Sequence, residues 1–268
     1  MRLALPGSPL KLYRDRFFAV FLTLALGPLA ACSGGGSPSV APDGRDAVRS
    51  APGPLVPGDA RLDLAAVTVP SSVTFALTVV QGDRRQPFGT LTETLARTPD
   101  GGLVRVQRLV SPRGSQVDSL TSLGDLSPRS HYSENPGRTV DLRYAPSTVT
   151  GTYTDVGATP VAVADARSGP SFDSNVIDLV ARAVPLTVGY EAAVLTYERA
   201  SAGAAETDVV YTVRVRGREV TAGRDAVVVE FSKGEGTSTR LFLDPATRRV
   251  LRQESDVAPG VTLLIEPS

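Results

Sequence analysis

From Leu62 to the C-terminus the chain is a succession of short runs that alternate apolar and polar residues, punctuated by turn residues about every ten positions. Period-2 alternation puts one face of each run on a core and the other in solvent, so this spacing commits the chain to antiparallel strands joined by tight turns. Val73–Val79 alternates cleanly and stops at Gln81-Gly82-Asp83. Pro87–Ala96 leads into Thr98-Pro99-Asp100-Gly101-Gly102, a strong hairpin turn. Further strands are expected over Leu103–Val110, Gln116–Leu123, Arg129–Glu134, Thr139–Tyr144 and Thr148–Thr154. A second series covers Tyr190–Tyr197, Asp208–Arg216, Asp225–Ser232, Thr239–Leu243, Val250–Glu254 and Val261–Ile265. A twisted sheet of ten or more strands tends to curl, split or close.

Between the two series lies the only convincing amphipathic helix outside the leader. In Ser171–Leu186, the residues Phe172, Val176, Ile177, Val180 and Val184 share one helical face. Ser171 suits the N-cap, Asp173 suits the positive end of the dipole, and Pro185 stops the helix. About four turns cannot bury that stripe alone, so the helix is expected on the concave side of the sheet. The expected fold is mainly β: a curved antiparallel half-barrel with one main helix at about 172–184, in a single domain over 61–268.

The first 31 residues differ in kind. Arg2, Lys11, Arg14 and Arg16 precede the apolar run Phe17–Ala31, too short for a comfortable membrane span and suited to a cleaved export signal. It ends in Leu29-Ala30-Ala31-Cys32, which resembles the lipobox of bacterial lipoproteins. That resemblance implies cleavage before Cys32, the chain's only cysteine, and lipidation of its sulfur. Two or three acyl chains, at about 0.8 kcal/mol per buried methylene, anchor a protein stably. Ser33 in place of an Asp implies an outer-membrane lipoprotein facing the periplasm in a two-membrane envelope. From Ser33 to Ala60, fifteen of 28 residues are Gly, Pro or Ser with no apolar period, the composition of a tether.

Removing the leader leaves 24 basic and 27 acidic groups, so no electrostatic footprint for nucleic acid is present. Lysine occurs only at 11 and 233, and the arginines are scattered rather than clustered, as compositional bias would leave them.

Arg138-Thr139-Val140, Val149-Thr150-Gly151, Phe172-Asp173-Ser174-Asn175 and Leu243-Asp244-Pro245-Ala246-Thr247-Arg248-Arg249-Val250 together resemble a family of exported bacterial proteins of unknown function. The resemblance covers most of Thr74 to Glu254 and implies the curved half-barrel of lipoprotein-localisation carriers and receptors. Its motifs are a helix start and a hairpin turn, and no catalytic residue is carried over.

Residue types that support catalysis are few. His131, the only histidine, stands in Arg129-Ser130-His131-Tyr132 with Ser119, Ser122 and several aspartates nearby. No Gly-x-Ser-x-Gly elbow exists, and His131 reads as an ordinary strand or turn residue. One histidine and one cysteine, the latter expected to be lipidated, do not supply the ligand set of a zinc site, and no metal or cofactor is expected. A ligand, if held, is a hydrophobic molecule or the acyl part of a client lipoprotein, against Phe75, Leu77, Tyr211, Phe172 and Asp173. Otherwise those apolar residues are plain core, with Phe75, Leu77 and Val79 beneath the helix, and Asp173 and Asn175 are first-turn caps. The expected function is a lipid-anchored, non-catalytic binding protein of the cell envelope, or an interaction module docking a partner on the sheet edge or convex face.

Overall fold

The computed structural model describes residues 53–201, 204–234 and 237–268. Its strands are β1 (Ser71–Gln81), β2 (Arg84–Arg97), β3 (Leu103–Ser111), β4 (Gly114–Ser122), β5 (Pro128–Asn135), β6 (Arg138–Tyr144), β7 (Thr148–Asp155), β8 (Val161–Ala166), β9 (Phe172–Asp173), β10 (Glu191–Ser201), β11 (Ala204–Thr221), β12 (Arg224–Ser232), β13 (Ser238–Leu243), β14 (Val250–Ala258) and β15 (Val261–Pro267). They form one sheet in the order β8-β7-β6-β5-β4-β3-β2-β1-β15-β14-β13-β12-β11-β10-β9. Each half is a plain meander, and the first and last strands join the halves: Phe75 faces Pro267 and Gln81 faces Val261. Among the described strands only the β9–β10 pair is parallel.

The expected mainly β fold, curved sheet and single main helix are what the structure shows. The helix is shorter than its apolar stripe suggests. Phe172–Asp173 is strand β9, Ser174–Val176 is a 3-10 turn, and helix α1 covers Ile177–Ala183. The cap is Asp173 rather than Ser171: its carboxylate accepts from the backbone N–H of Asn175 at 2.8 Å. Pairing with β10 takes Phe172 and Asp173 out of the helix, because a ladder satisfies backbone groups that a first helical turn leaves open. Two strands lie outside the expected set: β9, and β8, whose small-residue run VAVADA exposes most of one face.

One core contains the helix. Phe172, Val176, Leu179, Val180 and Val184 pack with Leu95, Leu103 and Leu120 from β2–β4, and with Val194, Val213, Val229 and Leu243 from β10–β13. One short helix reaches both halves because the sheet curls around it. Phe75 and Leu77 do not lie beneath it. They form a second cluster with Leu91, Val257, Val261, Leu263 and Ile265, and Val79 flanks that cluster.

Leu55, within the stretch expected to be tether, packs on the folded part. It is fully buried in the helix core, donates from its N–H to Ala193 O at 2.7 Å and accepts from Leu195 N at 3.0 Å. Arg61 bonds Asp59, and the backbone N–H of Gly58 donates to Asp125 O at 3.2 Å. Leu55 and Gly58 are thus held against the folded part. Residues 1–31, Cys32 and residues 33–52 lie outside the described part of the chain. Among the described residues no helix is long and apolar enough to cross a membrane.

Candidate functional site: the joint between the two ends of the sheet

Neighbouring residues on a strand point to opposite faces. On β9, Phe172 enters the helix core while Asp173 contacts His131 of β5. On β10, Val194 joins the helix core, while Tyr197 packs with Val140, Leu142, Val149, Tyr153 and Val163 of β6–β8. The inner face of β5–β8 thus laps over the side of β9–β10 that is turned away from the helix. No ladder joins β8 to β9 in the strand order, so side chains make this joint.

His131 is its centre. Nδ1 lies 3.0 Å from Asp173 Oδ2 and Nε2 lies 3.1 Å from Asp118 Oδ2, with all three side chains buried. Tyr144 donates its hydroxyl to Asp173, as Asn175 does from its amide at 3.0 Å. Burial opposes the imidazolium, but Asp173 and Asp118 overcome it and raise the His131 pKa well above its ordinary value. Burial likewise opposes the Asp173 carboxylate, and His131, Tyr144 and the Asn175 N–H hold its pKa at about 2. Burial and the adjacent Asp173 push the Tyr144 phenol well up.

Further along the joint, Tyr197 donates to Asp165 Oδ2 at 2.6 Å, and Arg199 does so at 2.5 Å. Arg167 donates to Ser171 O at 2.7 Å and lies over the Tyr144 ring. At its rim Ser168 donates to Asp208 Oδ1 at 2.6 Å. A cleft of about 10 Å³, room for one water, opens among His131, Leu142, Tyr144, Asp173, Tyr197 and Arg199.

A second buried network touches the first through Asn175, whose carbonyl accepts from Arg105. Arg105 donates to Glu93 Oε2 and to Asp178 Oδ2, both at 2.7 Å, and Arg182 donates to Glu93 Oε1 at 3.1 Å. The pair of arginines staples α1 to β2 and β3. Burial works against the Glu93 carboxylate, but Arg105 and Arg182 hold it below its usual range. At Asp178 burial prevails and raises the carboxyl.

The hairpin turn after β13 secures the other end of the helix. Asp244 Oδ1 accepts from the N–H groups of Ala246 and Thr247 at 3.0 and 2.9 Å, and Arg248 adopts a positive φ of 56°. That turn delivers the Arg248 guanidinium to Arg182 O at 2.9 Å and Val184 O at 2.6 Å, orphan carbonyls at the helix C-terminus. The motifs Phe172–Asn175 and Leu243–Val250 thus clamp α1 at its two ends. Gly151, in a third motif, is required by close approach: its φ is +147°, and a Cβ there would stand 1.9 Å from Asp141 O.

The five ligand candidates from sequence are not gathered in one place. Phe75 and Leu77 lie in the second cluster, Phe172 is in the helix core, and Asp173 is in the joint. Tyr211 flanks the helix core and places its hydroxyl 3.4 Å from Glu198 Oε2. His131 is on a strand as expected, yet it is no ordinary strand residue, because two carboxylates from other strands enclose it. A lone His with scattered Asp residues was the visible signal; which Asp would meet it depends on pairs 13 and 42 residues apart. Both ring nitrogens are occupied by carboxylates, so neither is placed to take a proton from Ser119 or Ser122.

The family model described as "Protein of unknown function (DUF3108)" matches residues 71–266, from the first residue of β1 to the penultimate residue of β15. The chain belongs to that family. The DUF3108 domain therefore spans the whole sheet, and no activity comes with the assignment. No curated protein matches the sequence.

Among solved structures, the DUF3108 domain is similar to a β-barrel-like protein of domain of unknown function DUF1849 from Brucella abortus. The TM-score is 0.48 at 10% identity, covering 75% of this chain and 97% of that one. It is similar also to the MucA/MucB complex of Pseudomonas aeruginosa, with a TM-score of 0.30 at 12% identity over 77% of this chain and 53% of that one. A LolA superfamily protein from Nitrosomonas europaea gives 0.24 at 10% identity over 77% and 88%.

Proposed function

We propose that this protein is a lipid-anchored module of the cell envelope that holds a hydrophobic ligand, or the acyl chain of a client lipoprotein, inside its curved sheet. The anchor rests on Leu29-Ala30-Ala31-Cys32, and Ser33 favours the outer membrane facing the periplasm. One observation carries the ligand reading. Tyr211, Phe231 and Val250 flank the helix core, and Val73, Val79, Leu109 and Val250 flank the second cluster, all only partly buried. By strand alternation and register these side chains belong to the concave face, with Gln107, Thr239 and Gln253 beside them. Val250 borders both clusters, so accessible apolar surface lies between them with a few neutral polar groups, the lining that suits an amphiphile. Holding rather than turning over fits a histidine with both nitrogens committed.

A chain carrying Cys32→Ala separates a bound lipid from the covalent anchor. Native mass spectrometry of that protein is expected to retain a lipid-sized mass that denaturation releases. Leu109→Trp, which fills the apolar lining, is expected to lose the mass while keeping the circular dichroism of the fold. An apo mass that also takes up no added fatty acid would refute the ligand reading. The remaining candidate would then be docking at β8, which ends the strand order and, as VAVADA, lacks the Pro or Lys that guard exposed edges.

A further inference from the structure

Every pair of neighbouring strands in the order from β8 to β9 is held by backbone ladders. The lap of β5–β8 over β9–β10 is held otherwise, by Asp165 with Tyr197 and Arg199, by Arg167 with Ser171, by Ser168 with Asp208, and by Tyr144 and His131 with Asp173. Parting any two laddered strands breaks a row of backbone hydrogen bonds. Parting the lap breaks none; it uncovers the clasps, which water can solvate, and the small apolar cluster of Val140, Leu142, Val149, Tyr153 and Val163 around Tyr197.

The joint also leads inward. His131 and Leu142 line its cleft. Asp118, which His131 contacts, stands opposite Ser133 on one side and Gln107 on the other, on the concave face of β3–β5. Ser133 Oγ is buried and meets no hydrogen-bond partner, and Gln107 is only partly buried. A continuous polar file therefore runs from the joint to the half-exposed apolar lining.

We propose that this lap is the portal of the sheet: the β6–β8 flap lifts from β9–β10 to admit a single-chain amphiphile to the concave interior, then closes on its polar clasps. The proposal rests on the ligand reading above, and its first test is independent of any ligand. The groups that face His131 are Asp118 of β4, Asp173 of β9, Asn175, whose amide nitrogen lies 3.4 Å from each ring nitrogen, and Tyr144 through Asp173, with Arg105 beyond Asp118 and Arg167 beyond Tyr144. The clasp thus sets His131 and Tyr144 on one side against the Asp173 carboxylate on the other.

The full chain with Cys32→Ala, Ser168→Cys and Asp208→Cys carries two thiols across the rim, to be bridged by a short bis-maleimide. Hydroxyl-radical footprinting compares side-chain exposure in bridged and unbridged protein. Bridging is expected to slow oxidation of the buried Tyr153 and Tyr197 at least tenfold and to leave Phe75 of the second cluster unchanged. Equal oxidation rates of Tyr153 and Tyr197 before and after bridging would overturn the portal whatever binds. Stopped-flow fluorescence with cis-parinaric acid then reads uptake. Bridging is expected to slow the on-rate at least tenfold with equilibrium affinity unchanged, and an unchanged on-rate would again overturn it. Failure of the unbridged protein to bind the probe would count against the ligand reading, with footprinting still deciding whether the lap opens.

Discussion

Two carboxylates within about 3 Å of one imidazole are stable together only while the ring carries its proton. The sign follows from the raised pKa of His131. Its contribution is fully present below the ordinary imidazole value and is lost as pH rises through the raised one. Asp173 works the other way: its contribution is present above the usual carboxylate range and is lost as pH falls through about 2. His131→Asn leaves Asp118 and Asp173 buried without the cation between them. It is expected to cost about 3–5 kcal/mol near neutral pH. Urea unfolding midpoints across pH check this: the gap between wild type and variant should shrink above the raised His131 pKa. A gap of constant size would mean that packing, not charge, makes the residue matter. The buried Glu93, Arg105, Asp178 and Arg182 obey the same rule, since each charge there has an opposite partner in contact. None of these pairings was visible in sequence, because each joins residues brought together only by strand order.

At the scale of elements, α1 is seven residues long and would not form alone. Its start is held by Asp173 and Asn175, its middle by Arg105 through Asp178, and its end by Arg248. Arg248→Asn tests the last of these cleanly, since Asn tolerates a positive φ and removes only the side-chain bonds. The loss is expected to be about 1–2 kcal/mol. Hydrogen exchange should localise it to Ile177–Val184; protection lost evenly over the whole sheet would contradict a local clamp. The apolar stripe Phe172, Val176, Val180 and Val184 correctly announced a buried helix. It overstated the length, because Phe172 serves the same core equally well from a strand.

For the whole molecule, the exposed side of β10 is the weak point of a sheet that does not close by ladder. Leu55 and β9 cover it with short parallel pairings, the protection an edge strand needs against pairing with another chain. A chain starting at Arg61 loses the buried Leu55 and its two backbone bonds to β10. Relative to a chain starting at Gly53, it is expected to lose about 2–4 kcal/mol and to associate on concentration. Urea unfolding and light scattering of the two chains decide this; equal midpoints would return Gly53–Ala60 to the status of tether.

Strands β1–β7 and β10–β15, their turns and the existence of one helix are properties of local period and turn chemistry, so the sequence by itself determined them. The expectations of a leader over residues 1–31 and of lipidation at Cys32 rest on equally local patterns, outside the described residues. Tertiary structure alone decided the rest. That β1 pairs with β15, that β5–β8 laps over β9–β10, and that His131 lies between Asp118 and Asp173 all follow from where a twisted fifteen-strand sheet brings its own ends. Twist accumulates over the whole ribbon, and no window of residues along the chain contains it.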